Sequence, residues 1–112
     1  MNKVLHVLPM NKISGAERMA LLMCKNLKSY EPIVVCGGEE LAHTFNENNI
    51  KTYNMKFSTK KLLRNANGLS KIIKNENIKI VHAHDNTASL VSYLAKKIFG
   101  LNVKIVSHIH NC

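Results

Sequence analysis

Five short apolar runs recur along this chain, and the stretches between them carry helical rather than hairpin patterns. The runs are residues 3–8, 33–36, 52–57, 78–84 and 103–107. Between the first two, Met19, Leu22, Met23 and Leu27 fall on one stripe of a helix expected over 15–29. A short helix is expected over 39–48. A basic amphipathic one over 60–75 turns Leu62, Leu69, Ile72 and Ile73 inward, and another over 86–99 turns in Leu90, Val91, Leu94, Ala95 and Ile98. Apolar positions three and four apart specify helix, and short β-branched runs specify buried strand. Strands that alternate with helices pair in parallel through crossovers, which are right-handed and cover both faces. The fold class expected is therefore α/β, a Rossmann-like, mostly parallel sheet with helices on both faces.

The punctuation agrees. Ser14 and Glu17 fit a capping box at the start of the first helix. Gly37-Gly38 closes the second strand, Asp85 or Thr87 can cap the last helix, and Lys96, Lys97 and Gly100 suit its end. A chain of 112 residues holds one domain. Its fifth strand lacks a following helix, so the chain is expected to be a truncated piece of a larger protein with an uncovered edge. No apolar run approaches the roughly 20 residues of a membrane span. Lys12, Glu17 and Arg18 interrupt any signal-peptide pattern, which points to the cytosol. Cys24, Cys36 and Cys112 show neither disulfide nor zinc-knot spacing, and the first two read as core residues.

In an open parallel sheet, ligands bind beyond the carboxyl ends of the strands. Three polar segments fall there: residues 9–15, the turn His84-Asp85-Asn86, and the tail His108-Ile109-His110-Asn111. Gly15 lets the backbone approach a phosphate at a helix N-terminus. The loop has neither G-x-G-x-x-G nor a P-loop. His82 with His84, and His108 with His110, make two H-x-H pairs, each able to point two imidazoles to one side of a strand. Only Asp85 adds a ligand type nearby, so no metal site is expected. His6 and His82 read as packed structural residues. His84 and His110, at strand ends, are placed to bind a ligand or move a proton.

The net charge of +9 is uneven: residues 56–79 carry Lys56, Lys60, Lys61, Arg64, Lys71, Lys74 and Lys79 against Glu76 alone. Such a patch attracts phosphate on lipid, substrate or nucleic acid. It lacks interleaved aromatic residues, which argues against nucleic acid. Lys60, Lys61, Arg64, Lys71 and Lys74 are expected to face anionic membrane; the plainer reading is a solvated helix face.

Taken together, "KVLHVLP…SGAER", "IKIVHAHD" and "VKIVSHIHN" resemble the N-terminal domain of retaining glycosyltransferases of the GT-B fold, family 4, over the whole chain. The family's Gly-Gly-x-Glu becomes Ser14-Gly15-Ala16-Glu17, with serine for the first glycine. Lys79 stands where aspartate is common before "VHAH", and His108 where threonine is usual in the family's T-x-H. The resemblance implies that Gly15 meets the donor diphosphate and that His110, the catalytic candidate, lies near the transferred sugar. Ser14, Glu17, His84, Asp85, His108 and Asn111 would line the same pocket. It implies transfer from a nucleoside-diphosphate sugar to a glycan or lipid-linked acceptor in cell-surface polysaccharide biosynthesis, at the cytosolic membrane face, with no cofactor and no metal. The donor-binding domain, with its Glu-x7-Glu motif, would be separate, and residues 1–112 alone would be inactive. The alternative from a different class is a non-catalytic Rossmann-like module that holds a nucleotide or phosphate.

Overall fold

The computed structural model describes residues 2–9 and 29–107. Five strands form one parallel sheet: β1 (Asn2–Leu8), β2 (Tyr30–Cys36), β3 (Lys51–Asn54), β4 (Ile80–Ala83) and β5 (Lys104–Ser107). Their order is β3-β2-β1-β4-β5. The described helices are α1 (Glu39–Glu47), α2 (Leu62–Glu76) and α3 (Asn86–Phe99). The helix expected over 15–29, with its Ser14–Glu17 cap and Cys24, lies outside the described residues.

The sheet has two apolar faces because side chains alternate along each strand. Leu5 and Val7, Ile33 and Val35, and Val81 and Ala83 point to one face, where Leu69, Ile73, Val91 and Ala95 of α2 and α3 cover them. Leu8, Val34 and Cys36 point to the other, against Leu41, Ala42 and Phe45 of α1. Helices therefore lie on both faces, and the Cys36 thiol sits in the core as expected.

Local chemistry sets the element ends. Asn77 after α2 and Gly100 after α3 adopt left-handed backbone, at φ 56° and 60°. Asparagine tolerates that conformation and glycine adopts it freely. Strand β2 begins three residues earlier than expected. Pro32 stands inside it, at a point where β3 has not yet joined: the pairing with β3 starts at Ile33. A proline is tolerated there because it costs no ladder bond to β3. Strand β3 is shorter than the expected 52–57. Buried Asn65 is the physical reason, since its amide donates to the Lys56 carbonyl and its Oδ1 accepts from the Ser58 N–H, both at 2.9 Å. That clamp turns the backbone out of the sheet.

Two further expectations need correcting. Helix α2 starts at Leu62 with Lys61 as its N-cap residue, so Lys60 lies ahead of it. Leu90 and Ile98 do not face inward: each is about half exposed, at 47% and 49%. The apolar stripe of α3 is wider than the buried face, which takes Ala88, Val91, Ser92 and Ala95. Strand β5 is an edge of the sheet, with Val106 exposed. Exposed apolar edges template self-association. Val106→Lys is expected to lower light scattering on concentration without changing the melting temperature appreciably.

Candidate functional site

Strands β1, β2 and β3 step outward in one direction, while β4 and β5 lie on the other side of β1. The connections leave β1 and β4 in opposite directions, so the gap between those two strands is the topological switch point. In such sheets the ligand crevice opens there, beyond the carboxyl ends.

Three imidazoles meet at that gap. His6 of β1 and His82 of β4 are register partners in the parallel ladder. His84 follows two residues later, and its N–H extends the pairing by donating to the Val7 carbonyl at 3.2 Å. Register partners share a face and so do residues two apart, which puts all three rings on one side. The His82 and His84 rings stack at 4.0 Å with an interplanar angle of 15°. The His6 ring centroid lies 5.4 and 5.2 Å from those of His82 and His84. His6 Nδ1 and His84 Nε2 share a 3.0 Å hydrogen bond. His6 and His84 are buried, and His82 is half-buried. Burial, reinforced by the neighbouring His82, holds the His6 pKa down to about 4, so the ring is neutral at neutral pH.

Asp85 follows directly. Its carboxylate accepts from the Ala88 N–H at 2.7 Å and caps α3. Of the two caps considered from sequence, Asp85 is the one used. Ser89 Oγ, in the first turn, bonds Ser107 Oγ of β5 at 2.9 Å, tying α3 to the end of that strand. Asp85→Ala should lower stability by about 1 kcal/mol, the usual worth of an N-cap. Chemical denaturation reads this directly, and Asp85→Asn should recover most of the loss.

A groove of about 850 Å³ opens at the carboxyl end of β3. Met55 and Phe57 contribute its apolar wall, and Lys56, Lys61, Arg64 and Lys71 its charge. Lys61 at the N-cap of α2, and Arg64 and Lys71 within it, recur at helical spacing, with Gly68 on the same stripe. No acidic side chain is among the groove's described lining residues. The expected basic set divides here. Lys61, Arg64 and Lys71 line the groove, while exposed Lys74 leans over the Phe99 ring at 5.8 Å.

The structure thus brings His84 and Asp85 to one end of the sheet. Ser14, Gly15, Glu17, His108, His110 and Asn111 lie outside the described residues. Sequence reasoning took His6 as an isolated structural residue and missed the clamp at Asn65.

The sequence model of Glycosyltransferase Family 4 matches residues 13–112. No curated protein matches the chain. Among solved structures, a glycosyltransferase from Rickettsia africae ESF-5 superposes with a TM-score of 0.80 at 29% identity, over 95% of this chain and 29% of that one. Anabaena Alr3699/HepE, solved in complex with UDP-glucose, gives 0.78 at 16% identity, over 97% and 29%. MurG from Acinetobacter baumannii gives 0.75 at 14% identity, over 97% and 35%. The chain spans about a third or less of the length of each of these three.

Proposed function

The chain belongs to Glycosyltransferase Family 4, and on that premise we propose that it is the acceptor-side half of an enzyme that moves a sugar from a nucleoside-diphosphate sugar to an anionic, lipid-linked acceptor, with retention of configuration. The observation that carries the acceptor assignment is the basic groove at the carboxyl end of β3. Four cationic side chains beside an apolar wall suit a phosphate next to a lipid or glycan. The structural relatives in complex with UDP and UDP-glucose support a nucleotide sugar as donor.

In this reading Gly15 meets the donor diphosphate, and Ser14 and Glu17 line the same pocket. His110 contacts the reacting sugar, and His108, Asn111, His84 and Asp85 border the same crevice. Catalysis then consists of orienting acceptor against donor and stabilising the charge that develops on the departing diphosphate. The product would enter cell-surface polysaccharide assembly at the cytosolic face of the membrane. Donor binding would depend mainly on the partner half of the GT-B fold, so this chain alone transfers nothing. Offered a UDP-sugar panel and a polyprenyl-phosphate-linked acceptor, it is expected to retain the acceptor and release no transfer product. Transfer by the chain alone, or equal retention of a neutral polyprenol, would overturn the reading.

The same charges bring the domain to its acceptor. No described helix is long and apolar enough to cross a membrane. Lys60, Lys61, Arg64, Lys71 and Lys74 are all exposed, and each basic residue near an anionic surface adds about 1 kcal/mol. Co-sedimentation with anionic vesicles is expected and should fade as salt rises, since screening shortens the reach to roughly 8 Å at physiological ionic strength. Equal binding to neutral vesicles would reduce these charges to a solvated face.

A further inference from the structure

We propose that His6, His82 and His84 form a three-imidazole site for a first-row divalent cation of the zinc class, at the switch point between β1 and β4. The proposal goes beyond glycosyl transfer and does not rest on it.

The geometry comes from the register. An H-x-H pair on one strand supplies two imidazoles to one face of the sheet. The residue opposite the first, on the adjacent parallel strand, supplies the third. The ligand nitrogens of all three lie within 4.8 Å of one another. A tetrahedral ion with bonds of about 2.0–2.1 Å needs nitrogens about 3.3 Å apart. His6 Nδ1 and His84 Nε2 already meet at 3.0 Å. The remaining approach is at most about 1.5 Å, and the stacked His82 and His84 rings must turn out of their parallel arrangement to make it. Binding replaces the His6–His84 hydrogen bond with two metal bonds.

The chemistry of the set is selective. Three imidazole nitrogens suit zinc, copper, nickel or iron, and offer nothing to magnesium or calcium, which want oxygen. A three-histidine set leaves a fourth position open, as catalytic zinc sites do. The site has no carboxylate among its three ligands, so the ion keeps its double charge. That charge favours an anionic fourth ligand, a hydroxide or an oxygen from a molecule in the crevice. His6 and His84 are buried, and His82, half-buried, is the ring through which the ion enters.

Zinc is the probe, added to the tag-free 112-residue chain. Calorimetric titration is expected to show one zinc per chain. His82→Gln should weaken binding by at least about 100-fold, since loss of a ligand exceeds the 10–100-fold cost of losing an outer-shell partner. His43→Gln, exposed on α1, should leave affinity unchanged. Zinc X-ray absorption on the unaltered chain gives an independent count and needs no variant to fold. Three imidazole nitrogens and one further nitrogen or oxygen neighbour are expected. A sulfur neighbour, fewer than three imidazoles, or absence of stoichiometric binding would overturn the site. So would a folded His82→Gln chain that binds as tightly as the parent.

Discussion

Replacing Leu69 with alanine should destabilise the domain by about 3 to 5 kcal/mol, whereas replacing Leu63 should change stability by less than about 0.5 kcal/mol. Both leucines lie on α2, six residues apart. Leu69 is fully buried between the helix and the sheet, beside Leu5, Val35 and Ile73. Leu63 is 68% exposed. Truncating Leu69 removes its transfer free energy and leaves a cavity that a rigid sheet cannot close. Domains of this size are stable by roughly 5–15 kcal/mol, so the loss is a large fraction of the total. It should lower the melting temperature by on the order of 15 °C. Calorimetry on the pair of variants checks it. Similar losses for both would mean that α2 is rotated on the sheet.

The side of α2 that faces the core was legible because it is a local property. Leu62, Leu69, Ile72 and Ile73 share a stripe whatever the helix packs against. The same logic overreached on α3. Its apolar stripe is broad, and sequence alone does not say which part the sheet covers, so Leu90 and Ile98 were expected inside. The parallel pairing and the two-sided cover also followed from local patterns, because strands that alternate with helices must be joined by crossovers. The imidazole cluster did not. His6 and His82 are 76 positions apart, and only the ladder register makes them neighbours. The signal was present in principle: a histidine near the centre of the first strand and an H-x-H pair in the fourth. Joining them needs the strand order and the register, and a slip of one residue would send His82 to the opposite face. The Asn65 clamp left no trace, since one asparagine in a helix rich in asparagine and lysine carries no pattern.

Acid should remove a second large contribution, this one centred on Glu76. Its side chain is only 4% exposed although it ends α2 at the opposite end of the sheet from the crevice. Lys51 Nζ approaches one carboxylate oxygen at 2.6 Å and Lys3 Nζ the other at 3.2 Å. The Tyr53 hydroxyl donates to the carboxylate and in turn accepts from Asn75. One carboxylate thus ties α2 to β1 and β3. The hydrogen bond from Lys51, then that from Tyr53, hold its pKa down to about 2, against 4.5 for a free glutamate, with burial pulling the other way. Because the folded value lies below the unfolded one, the contribution is fully present above about pH 4.5. It is lost as pH falls through 4.5 toward 2. At 1.36 kcal/mol per pH unit the gap is worth about 3 kcal/mol. Lys51 is 63% exposed, so water screens the pair and about 2 kcal/mol is the expected effect. Glu76→Gln keeps the shape and a group able to bond Tyr53, and removes the charge. At pH 7 it should be less stable than the parent by about 2 kcal/mol, and the two denaturation curves should converge near pH 2. Titration of His6 cancels in that difference, because both chains carry it. A gap that stays constant down to pH 2 would assign Glu76 a packing role and remove the ion pairs from the account.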